Sequence, residues 1–311
     1  TGSYLRGNAL TAGGYGRYNS IVISNGAAAS AANTYVGSGN LGTSNNVLVV
    51  TGSGSVLTNT SATYVGYAGS SNRLTIANGG RVETGGDGWI GYYWNVGAGW
   101  LSPSNAAVVT DSGSTWNIAG KLTVGYEGRE ASLLVTNGGQ VITGGNLEVS
   151  RGVTASNSTA VVTGPGSLVK VGGFTSVGNN GAYTYGRGGQ LLVTDGGVLE
   201  CNSIIGGTSA SDGVISNIGG VFQFTSATPY VTLYGPDTVV MTNGTISYRG
   251  VDAANIKHYT ITGITMRGEN TFRLNAASNT TSGQEYTFAN NLGATNYARL
   301  EMVNGATAYR G

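Results

Sequence analysis

The sequence predicts an all-β chain: a single-stranded, right-handed parallel β-helix, or β-solenoid, with about 26–27 residues and three short strands per coil. Three observations point there. Glycine contributes 55 of 311 residues and charged residues only 9%, while Val, Thr, Tyr, Ser and Asn dominate. That is a vocabulary of strands and turns, and it has no Gly-X-Y period, which excludes collagen. A phrase of two or three aliphatic residues, then Thr, Ser or Ala, then Asn, Asp or Gly, recurs along the chain. Its spacing is nearly constant, as stacked structural repeats require.

Taken in order, residues 1–20 precede the first phrase and read as an N-terminal arm or cap. Residues 21–220 read as the regular solenoid. The phrase appears as IVISNG (21–26), LVVTGSG (48–54), LTIANGG (74–80), AVVTDSG (107–113) and LLVTNGG (133–139). It continues as AVVTGPG (160–166), LLVTDGG (191–197), VISNIGG (214–220) and VVMTNG (239–244). The last apolar residues are Ile23, Val50, Ile76, Val109, Val135, Val162, Val193, Ile215 and Met241, in steps of 27, 26, 33, 26, 27, 31, 22 and 26. A second phrase follows in GGRVETGG (79–86), GGQVITGG (138–145) and GGVLECNS (196–203). A third closes the unit in TYVG (34–37), TYVG (63–66), GWIG (88–91), KLTVG (121–125), NLEVS (146–150) and FTSVG (174–178).

Strands this short cannot bury an apolar face alone. Stacking each coil on the next, at about 4.8 Å, buries it against the equivalent residue one turn along. Parallel crossovers set the expected right hand. Asn25, Asn78, Asn137, Asp195, Asn217 and Asn243 fall at the glycine corners, where their side chains are expected to bond neighbouring backbone or form a ladder between coils. Cys201 falls level with Thr84 and Thr143 on the inward face and reads as small core filler. From 221 to 311 the pattern loosens, which predicts wider coils or a small appended β region ending in an unfinished coil.

The aromatic residues show a second order. Aligning the third phrase on its Val-Gly pair places Tyr35, Tyr64 and Trp89 at one position of successive coils, and Tyr67, Tyr92 and Tyr126 at another. Alternation turns Val36, Val65, Ile90 and Val124 inward, so the preceding aromatics face out. Two ladders result, read either as intramolecular stacking or as a contact surface for a neighbouring subunit or a sugar ring. The stretch YYWNVGAGWLSPSN (92–105) accounts for the 33-residue step. Its Tyr93, Trp94 and Trp100 are expected on a protruding loop, the first candidate contact point.

Charge and chemistry bound the function. A net charge of +1 gives no reason to expect nucleic acid or anionic lipid as a partner. No run of 18 apolar residues occurs, so no transmembrane helix is expected. One cysteine excludes an internal disulfide framework. An enzyme would need acids converging on one face. Glu83 and Glu200 take equivalent outward positions but stand four coils apart, about 19 Å at the usual spacing, with Ile142 between them. Glu127 and Glu130, beside Arg129, read as a solvated turn, and the lone His258 as structural. GGDG (85–88) occurs once, without the repeat that calcium-binding coils show. No catalytic residue, metal ligand or cofactor is assigned.

LLVTNGGQVITGGNLEVSRG (133–152) and VVTDSGSTWNIAGKLTVGYEG (108–128) resemble the autotransporter-associated β-strand repeats of bacterial passenger-type surface proteins. Within that resemblance, Gly113, Ser114, Thr115 and Trp116 form a corner with one added residue that turns Trp116 inward, and GPGSLVKVGG (164–173) is the same variant. The resemblance implies a β-helical fold and an exported, extracellular or cell-surface location, and it carries no catalytic residues. The expected function is a structural building block of a surface fibre, filament, sheath or adhesin stalk that assembles end to end with copies of itself. The alternative is a glycan-binding or glycan-modifying β-helix that uses the aromatic edge.

Overall fold

Each coil contributes one strand to each of three sheets, and its strands pair in parallel with those one coil before and after. The computed structural model describes residues 3–39, 42–93, 102–178, 186–206 and 213–226, together with the strand backbones between Val231 and Arg310. Among the described residues, the first sheet runs over 12 strands from Tyr4–Arg6 to Arg299–Val303. The second runs over 12, from Ala9–Ala12 to Thr307–Arg310, and the third over 11, from Ser20–Ser24 to Gly293–Thr295. Among the described residues no helix is long and apolar enough to cross a membrane.

The three phrases are the three sheets. The aliphatic phrase forms the third sheet, GGRVETGG enters the first through Arg81–Thr84, and TYVG enters the second through Thr63–Tyr67. Alternate residues point inward and stack on themselves. Val50, Ile76, Val109, Val135, Val162 and Val193 form one column in strict register, all fully buried. Fully burying one such side chain contributes about 1.5–3 kcal/mol, and stacking is what removes it from water.

Turns from the third sheet to the first alternate in length. Three residues link Ser20–Ser24 to Ala28–Ala31, four link Val47–Thr51 to Val56–Asn59, and the alternation persists through Val198–Cys201. The three-residue turns carry Asn25, Asn78, Asn137 and Asp195, each with a positive φ of 51° to 56°, which Asn and Asp tolerate better than other residues with a side chain. The four-residue turns carry a buried serine whose Oγ accepts the glycine N–H of the preceding turn: Ser55 from Gly26, Ser114 from Gly79 and Ser167 from Gly138, each at 3.0 Å. The structural repeat is therefore two coils, and the corner variant expected at Gly113–Trp116 is its second half.

Trp116 is fully buried, level with Val82 and Val141, and its Nε1 donates to Thr84 Oγ1 at 3.1 Å. Its bulk is accommodated across the core at Gly88, where a Cβ would meet Ile118, Leu122 and Trp116 at 3.0 to 3.2 Å. The change from TYVG to GWIG thus makes room for the tryptophan.

One expectation at the corners needs correction. Asn217 is not a corner residue: it is buried in Val214–Ile218, level with Val193 and Met241, and its Oδ1 accepts the Gly220 N–H at 2.9 Å. The turn here has shrunk to Gly219 and Gly220, so Ile215 stands level with Leu191 rather than Val193. Within residues 1–20, Tyr4–Arg6 and Ala9–Ala12 pair in parallel with strands of the second coil. From Val221 on, strands continue the same three sheets to Thr307–Arg310.

Candidate functional site

The second sheet carries the aromatic wall on its outward face. Backbone register places Tyr35 against Tyr64 and Tyr64 against Trp89, and likewise Tyr67 against Tyr92. Tyr35 and Tyr64 stack with centroids 5.1 Å apart and planes 4° off parallel. Tyr67 and Tyr92, and Tyr92 and Tyr126, stack at 5.2 Å with angles of 21° and 13°. Trp89 lies 6.5 Å from Tyr64, again nearly parallel. The two columns meet edge to face, as between Tyr64 and Tyr67 at 5.2 Å and 88°. Both arrangements satisfy the ring quadrupoles, and each pair contributes about 0.5–1.5 kcal/mol beyond its buried area.

Cations close the C-terminal end of the wall. Lys121 Nζ sits 4.9 Å from the Trp89 centroid, and the Arg151 guanidinium lies 5.9 Å from that of Tyr126. Glu148 binds both, Arg151 at 2.6 Å and Lys121 at 3.2 Å, and also accepts the Thr123 hydroxyl at 2.9 Å. Glu148 is 4% exposed, so this acid is committed to holding the two cations. Within the wall, burial and the surrounding tyrosines push the Tyr64 phenol up to about 12, and the same causes raise Tyr92.

Tyr93 departs from expectation. It is 4% exposed and its N–H donates to the Tyr126 carbonyl at 3.0 Å, so it belongs to the folded edge and not to a protruding loop. Trp94 and Trp100 lie outside the described residues, as does Asn243.

The corner residues bond between coils through threonine. Asn78 donates to Thr51 Oγ1 at 3.0 Å and Asn137 to Thr110 Oγ1 at 3.2 Å, while Thr163 donates to Asp195 at 3.2 Å. A continuous asparagine ladder exists elsewhere, at the corner before the third sheet. Asn19 Nδ2 donates to Asn46 Oδ1 at 2.9 Å, Asn46 to Asn72 at 3.0 Å, and Asn72 to Asn105 at 3.1 Å. Each Oδ1 also accepts the backbone N–H of the preceding asparagine. Asn46, Asn72 and Asn105 are fully buried. The signal was present: an asparagine stands immediately before Ser20–Ser24, Val47–Thr51, Arg73–Ala77 and Ala106–Thr110. The ladder also explains the glycine of TYVG. Gly37 and Gly66 have φ of 76° and 78°, and a Cβ there would lie 2.2 Å and 2.1 Å from the carboxamides of Asn72 and Asn105.

The acids are placed structurally. Register confirms Glu83 and Glu200 as equivalent and four coils apart, through Asn117, Ile142 and Lys170. Glu83 pairs with Arg81 and Glu200 with Lys170, both at 2.7 Å. Glu130 is exposed, as expected of a solvated turn, but Glu127 is 5% exposed and its carboxylate accepts the N–H and hydroxyl of Thr154 at 2.8 and 2.9 Å. Cys201 is buried as core filler, and desolvation pushes its thiol up to about 12. The backbone of His258 is paired with Glu285 one coil on. Among the described residues no group of three or more His, Cys, Asp or Glu is placed to hold a metal ion.

No family model matches the chain, and no curated protein matches it. Among solved structures it is similar to the TibC-catalyzed hyper-glycosylated TibA fragment spanning residues 55–350, at 17% identity over 99% of this chain and 100% of that one, with a TM-score of 0.21. Superposition at that level is too loose to support an argument from likeness, so the functional reading rests on the chain's own residues.

Proposed function

We propose that this chain is an extracellular structural β-solenoid, a building block of a bacterial surface fibre, filament, sheath or adhesin stalk. The observation that carries the reading is that side-chain chemistry is spent between coils. The asparagine ladder, the corner serines and threonines, the aromatic wall and the Glu148 cluster all join one coil to the next. Glu83, Glu148 and Glu200 balance basic neighbours instead of converging on a cleft. A rod built this way resists extension and shear without a ligand. The glycan reading has less support, because sugars stack on open aromatic faces, whereas these faces turn toward neighbouring rings and cations.

Immunogold labelling of intact source cells tests the reading. Label on fibrous surface material supports it, and label confined to the cell interior overturns it. End-to-end assembly, the finer part of the proposal, is tested by sedimentation at rising concentration. Rods that lengthen in whole-particle increments support it, whereas a strictly monomeric particle refutes it.

A further inference from the structure

The geometry of the aromatic wall points to a covalent modification site: we propose that one-electron oxidation joins Tyr35 to Tyr64, and Tyr92 to Tyr67 or Tyr126, as dityrosine. These links would staple neighbouring coils from outside the core. The argument starts from radical chemistry. A tyrosyl radical couples with a second one held beside it before either is quenched. Tyr35–Tyr64, Tyr67–Tyr92 and Tyr92–Tyr126 are nearly parallel with centroids at 5.1 to 5.2 Å. In-register pairing sets Tyr35 beside Tyr64 and Tyr67 beside Tyr92, and ring stacking sets Tyr126 beside Tyr92, so the phenols of each pair stand side by side along one outward rim. The wall rings are half-buried, which leaves that rim open to an oxidant. Ring contacts of 5.0 to 6.5 Å run unbroken from Tyr35 through Trp89 to Tyr126. A hole formed on any ring, Trp89 included, can therefore move to a tyrosine pair.

The oxidant is of the one-electron class, such as a peroxidase intermediate or a photogenerated metal complex. It removes one electron from each of two phenols, and each phenol releases its hydroxyl proton to water. The two radicals form one C–C bond between ortho carbons. The hydrogen on each of those carbons then leaves as a proton while each oxygen regains one, restoring both phenols. The pair has lost two electrons and two protons, and the oxidant has gained the electrons.

Exposed tyrosines provide an internal control. Tyr15 and Tyr18 are 81% and 77% exposed, far more accessible than the wall. Neither stacks on another ring among the described residues. If accessibility alone governed oxidation, they would react first and link separate molecules.

The test uses the full chain, dilute, oxidised with light, tris-bipyridyl ruthenium and persulfate. Dityrosine fluorescence, gel mobility and peptide mapping are read together. The expected result is dityrosine in protein that still migrates as a monomer, mapped to Tyr35–Tyr64 and to Tyr92 with Tyr67 or Tyr126. Tyr64→Phe combined with Tyr92→Phe keeps the stacking and removes a phenol from every stacked tyrosine pair, so the intramolecular signal should collapse. Unfolding the parent chain in denaturant before illumination should do the same. Dityrosine confined to intermolecular links, or mapped to Tyr4, Tyr15 or Tyr18, overturns the proposal. So does a signal unchanged in the double variant or in the unfolded chain.

Discussion

Replacing Asn72 by alanine should be among the most damaging single changes in this rod. Its Oδ1 accepts both the backbone N–H and the Nδ2 of Asn46, each at 3.0 Å, and its own Nδ2 donates to Asn105 at 3.1 Å. Alanine removes these three bonds and the longer one from Asn72 Nδ2 to the Thr43 carbonyl at 3.5 Å. Asn105 Oδ1 keeps the Asn72 backbone N–H at 2.9 Å and Asn46 Nδ2 keeps the Gly16 carbonyl at 3.0 Å, but the Asn46 backbone N–H and the second Nδ2 hydrogen lose their acceptor. Each such orphan costs about 1–3 kcal/mol, which gives about 2–6 kcal/mol for the substitution. Asn72→Asp separates the two halves of the bond. It keeps the acceptor, loses the donor and buries a carboxylate whose acidity is weakened by desolvation. Its stability should therefore rise as pH falls, the reverse of an ion-paired acid. Asn78→Gly is the control. Asn78 holds a φ of 53° on an exposed corner, where glycine fits, so the change should stay within about 0.5 kcal/mol. Because long repeat arrays need not unfold in one step, guanidinium denaturation should be paired with hydrogen exchange of the amides at Asn46 and Val47. If Asn72→Ala loses no more stability than Asn78→Gly, the ladder is ornamental and the argument fails.

Further outcomes follow from the same geometry. Gly66→Ala must place a Cβ 2.1 Å from the Asn105 carboxamide at a φ of 78°, so it should cost about 3 kcal/mol or more, read by thermal denaturation. Trp116→Phe deletes the Nε1 bond to Thr84, but Thr84 stays bonded to Thr63 at 2.8 Å. The loss should be about 1–2 kcal/mol, a smaller effect than at Asn72 despite the larger side chain. In alkali, Cys201 and Tyr64 are both pushed up to about 12 in the folded chain, from 9.0 and 10.0. The unfolded chain gives up these protons first, so stability is full below pH 9 and falls as pH rises toward 12. Spectroscopic phenol titration should show Tyr64 among the last to ionise, and Tyr64→Phe should soften the alkaline loss.

How far the sequence reaches is seen residue by residue. The period, the three strands per coil and the two aromatic columns are legible, because each depends on a residue's spacing from its own equivalents one coil away, and the inward Trp116 is implied by the resemblance to autotransporter-associated β-strand repeats. The corner position of Asn25, Asn78, Asn137 and Asp195 is legible for the same reason as the period, whereas their positive φ is seen only in the structure. The failures share a cause as well. Asn217 looks like its corner counterparts, and only the backbone register, shifted by a shortened turn, reveals it as a core residue. Tyr93 looks like a loop residue because it adjoins the long step, yet its backbone bond to Tyr126 ties it down. Glu127 looks solvated until Thr154, one coil later, is placed over it. The asparagine ladder sat in plain view before four strands of the third sheet, but adjacency in sequence does not say that a carboxamide lies over the glycine of another coil. Periodicity thus determined by itself that the chain stacks and which side chains line up. The tertiary structure decided which aligned residues touch, because hydrogen bonds and burial depend on fractions of an ångström across coils that spacing along the chain does not encode.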